Sequence, residues 1–193
     1  MTRIPKSRGI TNTMMEEVEL PLNAPPSMFV QTCWDWYKEN HPSNHSMNGK
    51  MLENIIELAL ERAQIPNLYV QVGLKDVSLA VFDIMLFEGD TPLALPVKTT
   101  IRERWKQAEL EAREMKRYYP GAECLLLTLS EQEVNARRNA PEQTTGIDRF
   151  VLANTPEFDE LVEQLAKRTF TQPLSKDIVQ KCQTTIHQEK ANQ

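Results

Sequence analysis

Long apolar runs are missing from this 193-residue chain. None approaches the roughly 20 residues that a membrane-spanning helix needs, so no membrane is expected among its partners. The first residues, MTRIPKSRGITN, carry positive charge with no apolar run behind them, and no secretory signal is expected there. Cysteine is scarce. Cys33, Cys124 and Cys182 are odd in number and far apart, which fits reduced thiols in a cytoplasm and neither a disulfide framework nor a zinc site. Histidine is equally sparse: His41, His45 and His187 are scattered and suggest no shared role. Internal repeats are absent. An excess of positive charge is absent too: the net charge is -5, which argues weakly against nucleic acid as a partner. A local basic patch can still bind DNA on an acidic protein, because phosphate contacts are short-ranged in salt.

What is present describes an ordinary globular protein. The 40% hydrophobic and 25% charged fractions can bury a core and stay solvated outside. The length suits one substantial core, hence one domain. Residues 1–25 read as an N-terminal arm, basic at first and closed by Pro21, Pro25 and Pro26, and residues 26–193 as a single α/β domain. Phe29, Cys33, Trp36 and Tyr37 form a helical stripe that His41-Pro42 ends. A second helix is predicted over about residues 47–64, with Met51, Leu52, Ile55, Ile56, Ala59 and Ala63 on its buried face. Three apolar runs follow, residues 68–72, 79–87 and 93–97, and the last two read as a hairpin turning at Glu88-Gly89-Asp90. Ile101, Trp105, Ala108, Ala112, Met115 and Tyr119 share one helix face, stopped by Pro120-Gly121. Strands are predicted over 124–129 and 149–153, a helix over 156–168 and a last helix over 174–187. This order predicts a mixed central β-sheet flanked by helices.

Two charged residues interrupt that pattern. Asp83 stands in LAVFDIMLF, with apolar neighbours on both sides. A carboxylate placed there must be paired, protonated or metal-bound, because burying an isolated charge is costly. Lys98 ends the apolar run LALPVK one strand later, and a hairpin would bring the two close across the ladder. Taken alone, the pair is accounted for by a salt bridge at a sheet edge.

The residues downstream are more specific. Lys98-Thr99-Thr100-Ile101-Arg102-Glu103-Arg104-Trp105-Lys106-Gln107, continuing to Glu111-Ala112, resembles a segment of type II restriction endonucleases of the PD-(D/E)XK superfamily, in particular the EcoRII-like group. In that group a lysine ends the second catalytic strand. A Thr/Ser pair and a basic-acidic-Arg-Trp module follow, then a helix whose glutamate replaces the acidic residue usually found two before the lysine. Here that position is Pro96, and Glu111 sits where the displaced glutamate belongs. Asp83 matches the first catalytic carboxylate, with Phe82 in place of the family's proline. Asn48-Gly49-Lys50-Met51-Leu52-Glu53 is similar to the early helix whose glutamate supports the metal site. The resemblance spans about residues 83–129 and is loose elsewhere.

The resemblance implies a restriction-endonuclease-like core and a Mg²⁺-dependent endonuclease for double-stranded DNA, acting as a homodimer. It implies Asp83, Lys98, Glu111 and Glu53 as catalytic residues, with Asp83 and Glu111 as metal ligands. These residue types suit the chemistry. Mg²⁺ is held by a few carboxylates plus water, it activates phosphoryl oxygen and water, and an ammonium group stabilises developing charge. Arg102 and Arg104 can each grip guanine O6 and N7, and Glu103 can accept from cytosine N4. In related enzymes the equivalent module reads adjacent C:G pairs. Arg137 and Arg138, in an expected loop, are further candidates for DNA contact. Each residue also has a plainer reading. Glu53 and Glu111 would be solvated helix residues, Arg102 to Arg104 surface charge, Trp105 core, and Arg137 and Arg138 part of a solvated loop. Glu109 and Glu114 are expected to be surface glutamates whose replacement by alanine costs little activity, whereas Glu111→Ala should cost most of it. For the whole chain, the alternatives are a non-cleaving DNA-binding protein on the same fold, or an interaction protein of a mobile element.

Overall fold

Strand β2 (Phe82–Glu88) is buried along both faces apart from its last residue. A strand apolar on both faces must lie inside a sheet covered on both sides. The computed structural model, which describes residues 6–42, 44–77, 80–140, 144–175, 178–182 and 184–185, has that arrangement. Its helices are α1 (Lys6–Glu17), α2 (Pro26–Asn40), α3 (His45–Arg62), α4 (Arg104–Tyr118), α5 (Glu131–Arg138) and α6 (Pro156–Ala166). The strands are β1 (Tyr69–Leu74), β2, β3 (Thr91–Leu95), β4 (Val97–Lys98), β5 (Glu123–Thr128), β6 (Arg149–Leu152), β7 (Val179–Lys181) and β8 (Thr184–Thr185).

Among the described residues the strands form one mixed, open sheet. β5 runs parallel to β3, β4 and β6, whereas β2 is antiparallel to β1 and β3. One face is covered by α1, α2, α3 and α6, whose Met14, Phe29, Ile55 and Phe158 meet Ile84, Leu95, Leu127 and Val151 of the sheet. The other face is covered mainly by α4, where Trp105, Ala108, Ala112 and Met115 meet Phe82, Met85, Ala94 and Leu126. Local chemistry sets the helix starts. Pro26 opens α2, where a missing N–H costs nothing. The Asn44 side chain caps α3 by accepting from the Met47 amide at 3.1 Å. No helix among the described residues is long and apolar enough to cross a membrane.

Three segments differ from the sequence expectations. The segment read as an arm contains α1, and its Met14 is fully buried against the sheet-covering helices. The reading failed because the helix buries few residues, so its apolar stripe is faint. Met14→Ala is expected to cost about 2–5 kcal/mol in urea unfolding. A change below about 0.5 kcal/mol would show α1 to be detached in solution. Within the expected last helix, 174–187, the described residues instead include two short strands on β1, Val179–Lys181 and Thr184–Thr185, and residues 176–177, 183 and 186–187 lie outside the described part. The open edge of β1 decided this: Leu74 pairs with Val179 and Val70 with Thr184, an offer of backbone partners invisible in a local pattern. Finally, Arg137 and Arg138 lie on α5 and not in a loop.

Candidate active site

Pro96 creates the local geometry. The ladder between β2 and β3 runs as far as Ile84↔Leu95. Pro96 comes next and has no N–H with which to continue it. Toward β5 the strand goes on in the same register, from Leu93↔Glu123 and Ala94↔Cys124 to Val97↔Leu127 and Lys98↔Thr128. The Val97 amide is thereby released from β2 and donates to Asp83 Oδ2 at 2.8 Å. Lys98 Nζ donates to the same oxygen at 2.7 Å. Asp83 is 7% exposed, so its carboxylate is buried with one amide and one ammonium as partners. The Lys98 side chain keeps 24% of its surface exposed, which leaves the pair reachable from solvent.

Two further carboxylates, one from each helical layer, feel the charges of this pair. Glu53 of α3 accepts at Oε2 from Lys50 Nζ at 2.9 Å and from Gln71 Nε2 at 3.0 Å. Glu111 of α4 accepts at Oε1 from Gln107 Nε2 at 2.8 Å. Burial pushes the Glu53 carboxyl above its ordinary range, and the negative charge of Asp83 adds to this, against the cations of Lys50 and Lys98. Burial likewise pushes Glu111 up, with Gln107 and Lys98 opposing and Asp83 reinforcing. Glu53 and Glu111 therefore feel the same two charges, Asp83 and Lys98, although 58 residues separate them in sequence (111 minus 53).

Among the described residues no three of His, Cys, Asp and Glu form a ready-made metal cage. Mg²⁺ does not need one. It keeps several waters and takes one or two carboxylates plus substrate phosphates. The donor set here is all oxygen, and it carries mutually unfavourable negative charge that a hard divalent cation would relieve. Carboxylate oxygens are the donor type that such a cation takes.

No family model, no curated protein and no solved structure matches this chain. The chemistry of the site has to carry its interpretation.

The Arg-Glu-Arg module lies beside Lys98, at the turn leading into α4. Arg102, Glu103 and Arg104 are all exposed. The turn is pinned from α5: Glu133 Oε2 accepts from the Ile101 amide at 2.6 Å, and Oε1 from Arg102 Nε at 3.3 Å. Glu103 pairs with Lys106 at 2.6 Å, at the i,i+3 spacing of a helix face. Trp105 is core, as its place in the apolar stripe implied, and the Arg137 guanidinium lies 4.8 Å from its ring centroid. Arg138 corrects an expectation. Its guanidinium forks onto Glu157, at 2.9 and 2.7 Å, and also donates to the Phe150 carbonyl at 2.9 Å. These bonds fasten α5 to β6 and α6 and leave it poorly placed to serve a phosphate.

Glu109 is a second correction. It is 4% exposed and accepts from the amides of Thr145, Gly146 and Ile147 at 2.7–3.0 Å, as well as from Arg113. Gly146 permits that approach, since a Cβ there would lie 2.6 Å from the Glu109 carbonyl. Spacing could not separate Glu109 from Glu111 by role, because the partners of Glu109 arrive from a loop 36 residues away. Sequence reasoning also missed Lys50, Gln71 and Glu133. Only Lys50 left a signal, its i,i+3 spacing to Glu53.

Proposed function

We propose that this protein is a Mg²⁺-dependent, site-specific endonuclease for double-stranded DNA, built on a PD-(D/E)XK-type core. The observation that carries the proposal is the Lys98–Asp83 pair at 2.7 Å, formed where Pro96 ends the β2–β3 ladder; Glu53 of α3 and Glu111 of α4 both feel the charges of that pair. Asp83 and Glu111 would hold the cation, which supplies Lewis-acid activation of a phosphoryl oxygen and of a water. Lys98 would turn its ammonium from Asp83 to the scissile phosphate and stabilise charge there as water adds and the phosphodiester bond breaks. Glu53 would support the cation site from α3. Cutting both strands of a symmetric site with one site per chain calls for a twofold homodimer.

One observation favours a second reading, a non-cleaving DNA-binding protein on the same fold. The lysine is already engaged by Asp83, and among the described residues no carboxylate cage stands ready. Incubation of plasmid DNA with Mg²⁺ separates the two: discrete bands support the endonuclease, and a mobility shift with intact DNA supports the binding protein.

The exposed module predicts how sequence would be read. Arg104→Ala is expected to lose about 1–3 kcal/mol of discrimination at one base pair while keeping weak, salt-sensitive binding to any duplex. Competition binding in Ca²⁺, with cognate DNA set against single-position variants, measures this. Equal loss for cognate and variant DNA would make Arg102, Glu103 and Arg104 a backbone clamp and remove the expected C:G reading.

A further inference from the structure

Strand β1 contains a backbone fault. Gln71 has φ of +54°, a left-handed conformation that a residue with a side chain adopts only under constraint. The fault shifts the phase of the strand. Tyr69, Val72 and Leu74 all face the α4 layer, so the alternation of sides is broken between 69 and 72. β2 breaks at the same level. Phe82, Met85 and Phe87 face the α4 layer, while Ile84 and Leu86 face the other. The ladder pairs Val70 with Ile84 and Val72 with Phe82, so Gln71 and Asp83 occupy the interval between these pairs. Strain of this kind persists where the surroundings require it, and it gathers at sites where a side chain must be aimed.

Here the aimed group is an amide. Gln71 Nε2 donates to Glu53 Oε2 at 3.0 Å, beside the 2.9 Å bond from Lys50. The Glu53 side chain is 16% exposed, so the donor is held in partly desolvated surroundings. A neutral donor orients the carboxylate without cancelling its charge, which a second lysine would do. We propose that Gln71 is a positioning residue: its left-handed backbone turns the amide onto Glu53 and holds that carboxylate toward the cation site of Asp83 and Glu111. This assignment rests on the cation site proposed above. The ladder continues on both sides of the fault, and glycine would adopt the same φ without constraint, so the glutamine side chain is not what the backbone asks for.

The test separates aim from stability. The full chain and its Gln71→Gly variant are compared by thermal melting and by Mn²⁺ binding, read from the electron paramagnetic resonance signal of the free ion. Mn²⁺ stands in for Mg²⁺ because both favour carboxylate and water ligands. Gln71→Gly is expected to melt at the wild-type temperature or above it and to bind Mn²⁺ about 10-fold more weakly, as loss of an outer orienting bond does. In a Glu53→Ala background the same change should have no further effect on Mn²⁺ binding. Wild-type Mn²⁺ affinity in Gln71→Gly overturns the proposal, and so does a lowered melting temperature with a loss that persists without Glu53. Wild-type protein that binds Mn²⁺ and leaves DNA uncut would overturn the nuclease reading alone. Wild-type protein that binds no Mn²⁺ would overturn both.

Discussion

Lys98→Ala is expected to lower Mg²⁺-dependent DNA cleavage by about 10²–10³-fold, the usual cost of removing one preorganised group that stabilises developing charge. The loss should fall on turnover and not on DNA binding, because Lys98 is one cation beside an exposed basic module. Asp83→Ala should be as damaging to cleavage for a different reason, loss of a cation ligand. It also removes a negative charge facing phosphate, so DNA binding without metal should tighten. Neither variant is structurally silent. Asp83 accepts from both the Val97 amide and the Lys98 ammonium, at 2.8 and 2.7 Å. Removing one partner of a largely buried pair costs about 1–3 kcal/mol. Asp83→Asn keeps the shape of the side chain and serves as the control for stability. Rates should be compared well below the melting point of the weakest variant. Cleavage by Lys98→Ala at near the wild-type rate would remove the catalytic assignment.

Glu109→Ala is expected to be among the most damaging changes to stability, costing about 3–5 kcal/mol, with no catalytic role involved. Three backbone N–H groups, of Thr145, Gly146 and Ile147, converge on this carboxylate. Without it the buried Gly146 and Ile147 amides, and the half-buried Thr145 amide, would lose their acceptor. The effect has a pH signature. Burial raises the Glu109 carboxyl, but the amides of Ile147, Gly146 and Thr145 together outweigh burial and hold it below the ordinary range. A folded-state value below the unfolded one gives stability that is present above the unfolded value, about 4.3, and lost as pH falls through the folded value. Wild type should therefore lose this contribution in acid, and Glu109→Gln should lack that part of the acid dependence. Urea midpoints at pH 7 and pH 3 measure both effects. A Glu109→Ala midpoint close to wild type would mean the loop finds other acceptors.

These two glutamates show what spacing can and cannot reveal. Glu109 and Glu111 stand two residues apart on one helix and look alike in sequence. A helix turns about 100° per residue, so they point in very different directions. Their roles depend on what waits there: the 145–147 loop for Glu109, and the charges of Asp83 and Lys98 for Glu111. Only resemblance to a known segment singled out Glu111 from its neighbours in the sequence. Arg138 shows the converse, since its pairing with Glu157 spans 19 residues and has no local signature.

The sequence by itself determined the middle helices, the hairpin and the strands over 124–129 and 149–153. Apolar periodicity, Pro and Gly stops and Asn capping act over a few residues, where chain neighbours set the energetics. It also marked Asp83 and Lys98 as residues needing an explanation, because charge inside apolar runs is costly wherever the chain folds. The tertiary structure alone decided that α1 is part of the core, that the chain end supplies strands to β1, and that Gln71 is left-handed. It alone put Glu53 and Glu111, on helices of opposite layers, under the influence of the same two charges, Asp83 and Lys98. Those outcomes depend on which edges and faces remain open once the sheet has formed, and no local period in the chain encodes them.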